Sequence, residues 1–177
     1  MPWKGIVDQS FTPDGFAAYC QGLQWNDWRP QFITLHNTAS PTLAQRPHGF
    51  NHDHMANFVH FYRDEQGWQA GPHLFVDDHA IWVFTPLTVS GRHSPSWNET
   101  ALGVEMLGDY DSEAFDNGRG LAVQRNAVAA IATLSDVLGL DPDTIRLHKE
   151  DTATTHDCPG ANVNKARFIQ AVKDVLP

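Results

Sequence analysis

Two histidines and one cysteine stand where they could bind one metal ion. His36 ends the apolar run 32–36, and His148 ends the shorter apolar run 145–148. Cys158 lies in the loop after His148, directly before a proline and a glycine. Two imidazoles and a thiolate suit Zn²⁺ and leave its fourth position open for the water that a hydrolytic site needs. The spacing alone also allows ordinary buried roles, so a zinc site is one of two interpretations at this point.

A third chemical group is a carboxylate inside an apolar strand. In the predicted strand 102–107, Glu105 points to the face opposite Leu102, Val104 and Met106. Burying a carboxylate costs free energy unless the group is paired or functional. Glu105 is therefore either a structural carboxylate with a satisfied partner or an acid–base group of a site.

The rest of the pattern predicts the elements that position these groups. Strands and helices alternate without an internal repeat, which is typical of one α/β domain with a central mixed sheet flanked by helices. This arrangement places the candidate zinc site at strand ends. Residues 1–30 are expected to form a helical extension packed on the domain, and residues 31–177 the catalytic domain. Cys20 falls on the apolar face of the first predicted helix and is expected in the core. The predicted elements are a helix from Thr12, strand 32–36, a helix from about 52 to 67, a hairpin over 73–84, strand 102–107, helix 121–138, strand 145–148 and a final helix from about Asn164.

Composition excludes several classes of protein. The chain has 177 residues, 41% of them hydrophobic and 19% charged, so it is neither disordered nor of low complexity. Its formal charge of -9 argues against nucleic acid and anionic lipid as partners. Neither a signal-peptide pattern nor an apolar stretch of about 20 residues occurs, which predicts synthesis in the cytoplasm without a membrane segment.

Four short motifs carry a resemblance to a known family. They are 34–40 (TLHNTAS), 102–108 (LGVEMLG), 147–150 (LHKE) and 157–160 (DCPG), in this order. Together they resemble the zinc-dependent N-acetylmuramoyl-L-alanine amidases of the type-2 amidase and peptidoglycan-recognition-protein family.

The resemblance implies a role for each motif residue. It implies zinc ligation by His36, His148 and Cys158, with Asp157 as a poorer candidate for the third ligand. It also implies that Glu105 is the general base beside the zinc.

The sequence departs from the family pattern at two positions. Many members have a lysine two residues before the third ligand, where this chain has His156. An imidazolium can donate to a developing oxyanion, so His156 is predicted to stabilise the transition state. Some members have a tyrosine directly before His73, where this chain has Pro72.

The chain contains ten histidines, and most need another explanation. The resemblance suggests substrate contacts for His93, His73 and Asn37. A hydrogen-bonded structural role remains equally open for His93, and a packing or supporting role near the zinc for His73. A second metal site is not expected, because helical spacing separates the rings of the candidate histidines. Those discounted histidines are His52, His54 and His60, and no role is predicted for His48 and His79.

These observations predict a zinc hydrolase that cleaves the amide bond between N-acetylmuramic acid and L-alanine of the peptidoglycan stem peptide. The substrate is expected to be peptidoglycan or a muropeptide, and the protein a monomer. It could act as an endolysin on the cell wall after release, recycle soluble muropeptides, or be a toxin delivered by a secretion machine. The alternative is a peptidoglycan-binding recognition module that does not cleave.

Overall fold

A computed structural model describes residues 2–176, so Met1 and Pro177, the outer ends of the two predicted segments, lie outside the described residues. Six strands form one sheet, in the order β1-β4-β3-β5-β2-β6. The pairs β3–β5, β5–β2 and β2–β6 are parallel. Strand β4 is antiparallel to both of its neighbours, β1 and β3. The predicted α/β class with a mixed sheet is therefore confirmed. The strands are β1 (Gln9–Phe11), β2 (Phe32–Asn37), β3 (Leu74–Val76), β4 (Ile81–Val83), β5 (Ala101–Met106) and β6 (Arg146–Leu147).

Four α-helices accompany the sheet: α1 (Pro13–Gln21), α2 (His52–Val59), α3 (Gly118–Leu138) and α4 (Lys165–Asp174). Thr12 caps α1 by accepting a hydrogen bond from Gly15 N, as its sequence position predicts. Gly139 ends α3 in the left-handed region at φ 66°, a conformation that glycine adopts without strain. Helix α3 packs against α1, α4 and strand β5. None of the helices within residues 2–176 has the length and apolarity needed to span a bilayer.

The N-terminal segment contributes more than the predicted helix. Strand β1 pairs with β4 and forms one edge of the sheet, with Ser10 opposite Trp82, so residues before α1 extend the central sheet. Helix α1 packs on α3, and Cys20 is fully buried in the core as expected.

The predicted helix 52–67 is interrupted after its second turn. Helix α2 ends at Val59, and the chain continues through a π-helical turn, His60–Glu65. A π-turn inserts an extra residue into a helical turn and is common at functional sites. This turn rotates the aromatic residues that follow it relative to an ideal helix.

Strand register aligns the residues that the sequence singled out. His36 on β2 lies opposite Glu105 on β5, and Glu105 lies opposite Phe75 on β3. Leu35 pairs with Leu147 on β6, so His148 emerges from the sheet beside His36. Because residues in register on neighbouring strands share a face, one face carries both candidate ligands and the carboxylate.

Candidate active site

His36, His148 and Cys158 converge at one edge of the sheet. Their ligand atoms all lie within 4.8 Å of one another, and the two imidazole centroids are 4.4 Å apart. Within residues 2–176, this is the one group of three or more histidine, cysteine or acidic side chains arranged for a metal ion. The three residues that the sequence singled out as candidate zinc ligands therefore lie together.

Backbone contacts hold the two ligand-bearing loops together. Lys149 N donates to the carbonyl oxygen of Cys158 over 2.8 Å, and Asn37 N donates to Cys158 Sγ over 3.2 Å. Gly160 then turns the chain at φ 106°, where an added Cβ would lie 2.5 Å from the backbone of Tyr110. The loop therefore depends on glycine at this position to bring the thiol against β2.

The donor set fits a zinc ion. Nitrogen and sulfur donors with room for a fourth ligand are typical of zinc sites. His148 Nε2 is buried and has no hydrogen-bond partner within the described residues, as expected for a nitrogen reserved for a metal. Burial and nearby imidazoles lower the pKa of His148 to about 4 and that of His36 well below its ordinary value. Both rings are therefore neutral at pH 7 and keep a lone pair for coordination.

The tautomer of His36 follows from a chain of hydrogen bonds. His93 Nε2 lies 3.0 Å from the carbonyl oxygen of Ala101 and must donate to it. His93 Nδ1 is then an acceptor, and it lies 3.1 Å from His36 Nε2. His36 therefore donates through Nε2 and keeps the lone pair of Nδ1, the nitrogen 3.8 Å from Glu105 Oε1.

This chain of bonds favours the structural alternative for His93. Its imidazole borders the cleft, but it is only 8% exposed and both ring nitrogens are bonded within the protein. Gly103 makes room for it, because an added Cβ there would lie 2.4 Å from the His93 ring. Supporting partners of this kind orient a metal-binding histidine and fix its tautomer.

His73 lies farther from the cleft than predicted. It is completely buried, its Nε2 bonds the carbonyl oxygen of Val89, and its Nδ1 accepts from Gly103 N. Its ring also stacks on Trp28 at 5.3 Å. The predicted substrate contact does not match this placement, because no polar atom of the ring is free and the ring does not border the cleft. The packing role that the sequence also allowed does match.

Glu105 lies in the cleft beside the ligand group. Its side chain is 14% exposed, and burial raises its pKa to about 8. A carboxyl group with that pKa is mostly protonated at pH 7, and a nearby cation would lower the pKa and favour the carboxylate. A group poised near neutrality in a cleft is suited to acid–base chemistry.

His156 and Asn37 also border the cleft. His156 is exposed, and its ring stacks on His148 with centroids 5.4 Å apart and an angle of 22°. Asn37 is largely buried, and its amide nitrogen donates to the carbonyl oxygen of Gly108 over 3.2 Å. Of the two side chains, His156 is the more accessible to a ligand in the cleft.

The remaining wall of the cleft is aromatic and was not predicted from the sequence. The cleft has a volume of about 830 Å³. Its far side is formed by Phe58, Tyr62 and Trp68, which come from α2, the π-helical turn and the segment after it. Burial, together with Glu105 and Cys158, raises the pKa of Tyr62 well above its ordinary value, so its phenol stays neutral. The dense run of aromatic residues from 58 to 68 was the one sequence signal for this wall.

The histidines that the sequence discounted lie elsewhere. His52 Nδ1 is 3.0 Å from Asp8, and His60 Nδ1 is 3.0 Å from Asp64 on the same helical segment. His54 lies in the first turn of α2, where its backbone N–H donates to the side chain of Asn51. Each of the three has its own local contacts, and they form no joint site.

Comparison with known proteins gives a family match over most of the chain. A family profile described as "N-acetylmuramoyl-L-alanine amidase" matches residues 26–161. Among curated proteins, no sequence matches at a significant level.

Solved structures share the fold. The endolysin N-acetylmuramoyl-L-alanine amidase LysCS from Clostridium intestinale superposes with a TM-score of 0.63 at 17% identity, covering 86% of this chain and 92% of its own. Drosophila PGRP-LB gives a TM-score of 0.63 at 16% identity, covering 99% of this chain and 88% of its own. The Ph2119 endolysin of a Thermus scotoductus bacteriophage gives 0.62 at 21% identity, covering 84% and 88%.

Proposed function

The chain belongs to the N-acetylmuramoyl-L-alanine amidase family and is an amidase, and we propose that it uses a zinc ion held by His36, His148 and Cys158. Its substrate is peptidoglycan or a soluble muropeptide, cut between the lactyl group of N-acetylmuramic acid and L-alanine. The observation that supports this proposal best is the convergence of three ligands and Glu105 in one cleft. Family membership and Glu105 together do not favour the alternative of a module that binds without cleaving.

A zinc ion bound to these residues would supply Lewis-acid chemistry, polarising the scissile carbonyl and lowering the pKa of water. His36 and His148 offer neutral nitrogens because burial keeps both rings unprotonated. Burial and Glu105 raise the pKa of the Cys158 thiol, and a cation among the ligands would oppose both effects. Metal binding should therefore release protons from this site.

Glu105 moves the proton in the proposed reaction. Its carboxylate takes a proton from the attacking water while the oxygen of that water bonds to the amide carbonyl carbon. The same carboxyl group then gives the proton to the nitrogen of L-alanine as the carbon–nitrogen bond breaks. The products are a free lactyl carboxylate and a peptide with a new amino terminus.

His156 is proposed to stabilise the charge that develops on the carbonyl oxygen. Its exposed ring lies over His148, so a ring N–H could donate to an oxygen held at the ligand group. Asn37 is proposed to help position the substrate in the cleft at the C-terminal end of β2. His93 is proposed to act through His36, and His73 to support the fold around both.

The cell-wall role is tested by comparing substrates. An endolysin should release peptides from intact sacculi, whereas a recycling amidase should prefer soluble 1,6-anhydro-muropeptides. We propose that the protein works as a monomer, because the described residues already supply every group of the site. Size-exclusion chromatography with light scattering checks that expectation.

Product identity tests the proposed function directly. Purified protein loaded with zinc is incubated with sacculi, and the products are examined by mass spectrometry with amino-terminal labelling. New amino-terminal L-alanine and intact glycan strands are expected, and a chelator should abolish both. Glycan cleavage, peptide-bond cleavage, or binding without product would contradict the proposal.

A further inference from the structure

Asp151 is a buried carboxylate near the ligand group that the proposed mechanism does not use. Its residue is only 1% exposed. Its backbone N–H donates to the carbonyl oxygen of His148 over 2.9 Å, at the end of the 3-10 turn His148–Glu150. Its Oδ1 accepts a hydrogen bond from Ala153 N over 3.0 Å. The carboxylate is therefore fixed relative to His148.

The same carboxylate bonds the segment that carries His93. Ser94 Oγ donates to Asp151 Oδ2 over 2.6 Å, and Ser96 N donates to the same oxygen over 3.0 Å. The backbone N–H groups of His93 and Ser94 both donate to Asn98 Oδ1, over 2.7 and 2.9 Å. Asp151 is thus bonded to a turn whose own geometry is fixed.

This link joins the supports of both candidate imidazole ligands. His93 accepts a hydrogen bond from His36 Nε2, and His148 is bonded through its backbone to Asp151. Burial lowers the pKa of both His93 and His148, and Asp151 opposes that effect at each ring, so its charge lies near both imidazoles. The contact between Asp151 and Ser94 therefore connects the two halves of the ligand group.

The charge of Asp151 is not balanced by a cation of the protein. No lysine, arginine or histidine side chain within residues 2–176 forms an ion pair with it, whereas its neighbour Glu150 pairs with Lys165. Burial raises the pKa of Asp151, but hydrogen bonds, foremost the one from Ser94, hold it below its ordinary value. The group is therefore an anion at neutral pH, and a cation at the ligand group would interact favourably with it.

We propose that Asp151 is a positioning residue of the metal site, which holds His148 and His93 in one arrangement before the ion binds. It acts through these two residues rather than as a ligand, because three donors already occupy its oxygens. This inference rests on the proposed function, since it concerns the zinc site of that proposal. Groups that orient metal ligands contribute to metal affinity, so loss of this link should weaken zinc binding.

Two variants separate the charge of Asp151 from its hydrogen bond to Ser94. Asp151→Asn removes the charge with little change in size and should weaken zinc affinity roughly 10- to 100-fold. Ser94→Ala keeps the charge, removes one donor and should weaken the affinity by a smaller factor. The double variant should bind zinc no more weakly than Asp151→Asn, because both substitutions act on one contact. Competition with a chromogenic chelator measures all three affinities.

Asp77→Asn is the matched control. Asp77 is also 1% exposed and accepts backbone N–H bonds from Phe50, His79 and Ala80, but it lies at the turn between β3 and β4 and does not border the cleft. Its substitution should lower the Tm of the metal-free protein and leave zinc affinity unchanged. The visible spectrum of the cobalt(II) protein reports ligand geometry, and it should change in Asp151→Asn but not in Asp77→Asn.

Wild-type zinc affinity and cobalt spectrum in both Asp151→Asn and Ser94→Ala would overturn the positioning role, and so would an equal loss of affinity in Asp77→Asn. Imidazole NMR of the metal-free proteins addresses the same question without an ion. The ring resonances of His93 and His148 should shift in Asp151→Asn and stay in place in Asp77→Asn. Failure of the wild type to bind zinc would instead contradict the proposed function, while the NMR comparison would still decide whether Asp151 positions the two rings.

Discussion

The two sides of the cleft are built by different means. The ligand side consists of strand ends and the loops after them, where register places His36 beside Glu105 and His148. The aromatic side consists of α2, a π-helical turn and the segment to Trp68, held by stacked rings. The ligand side is fixed by hydrogen bonds that tolerate little displacement. The aromatic side is fixed by side-chain packing.

If the ligand side carries the chemistry, removing a metal ligand should have the largest effect on hydrolysis. Cys158→Ala should abolish hydrolysis and weaken zinc binding strongly, because two imidazoles remain as the protein ligands. Zinc content by mass spectrometry and peptide release measure both effects.

The other cysteine is the matched control for this substitution. Cys20→Ala removes a buried thiol from the core between α1 and α3 and should cost about 1 kcal/mol of stability. Zinc content and kcat should stay at wild-type values. Equal loss of zinc in both variants would break the assignment of Cys158 as a ligand.

The next largest effect is expected at Glu105. Glu105→Gln should keep zinc and lower kcat by roughly 10²- to 10⁴-fold, because the amide cannot accept and return the proton. Steady-state kinetics together with zinc content measure the two properties separately. Wild-type turnover in a zinc-loaded Glu105→Gln enzyme would remove the acid–base role.

A moderate effect on zinc affinity is expected from replacing His93, which bonds the ligand His36. His93→Phe keeps a ring but removes the acceptor for His36 Nε2, and should weaken zinc affinity by roughly 10- to 100-fold. Competition with a chromogenic chelator measures the affinity. His79→Phe, at an exposed ring, is the control and should bind zinc normally. Normal affinity in both variants would argue against the tautomer-fixing role.

The smallest effect concerns pH and the stability of the metal-free protein. Burial lowers the pKa of His93 and His148 to about 4 and that of His73 to about 3, from an ordinary value of about 6.5. Between these values the unfolded chain binds more protons than the folded one, so stability is lost as pH falls. Tm should decrease by several degrees from pH 7 to pH 4. A constant Tm over that range would show that these rings are accessible to protons.

Much of the ligand side could be predicted from the sequence. His36 and His148 end apolar strands, and parallel neighbours bring such ends together, so their proximity follows from the strand pattern. Glu105 stood out because an apolar strand rarely carries a carboxylate. Cys158 needed the resemblance as well, because nothing local links a loop cysteine to distant strands.

The aromatic side could not be predicted in the same way. The helical period of residues 52–67 indicates one continuous helix, and the π-helical turn depends on packing of Phe58 and Tyr62 against the sheet. The guanidinium of Arg92 lies 4.8 Å from the centre of the Trp68 ring, and this contact joins segments that are distant in sequence. The hydrogen bonds of His73 and His93 also depend on tertiary placement, which left the role of each open until the structure located their partners.

Zinc titration of the metal-free enzyme tests the central claim most directly. Peptide release from a muramoyl peptide is measured as zinc is added in fractions of an equivalent. Activity should rise linearly and reach a plateau at about one zinc per chain, with zinc K-edge spectroscopy at the plateau recording two nitrogen ligands and one sulfur ligand from the protein. Full activity without metal, or a zinc shell without sulfur, would contradict a catalytic site formed by His36, His148 and Cys158.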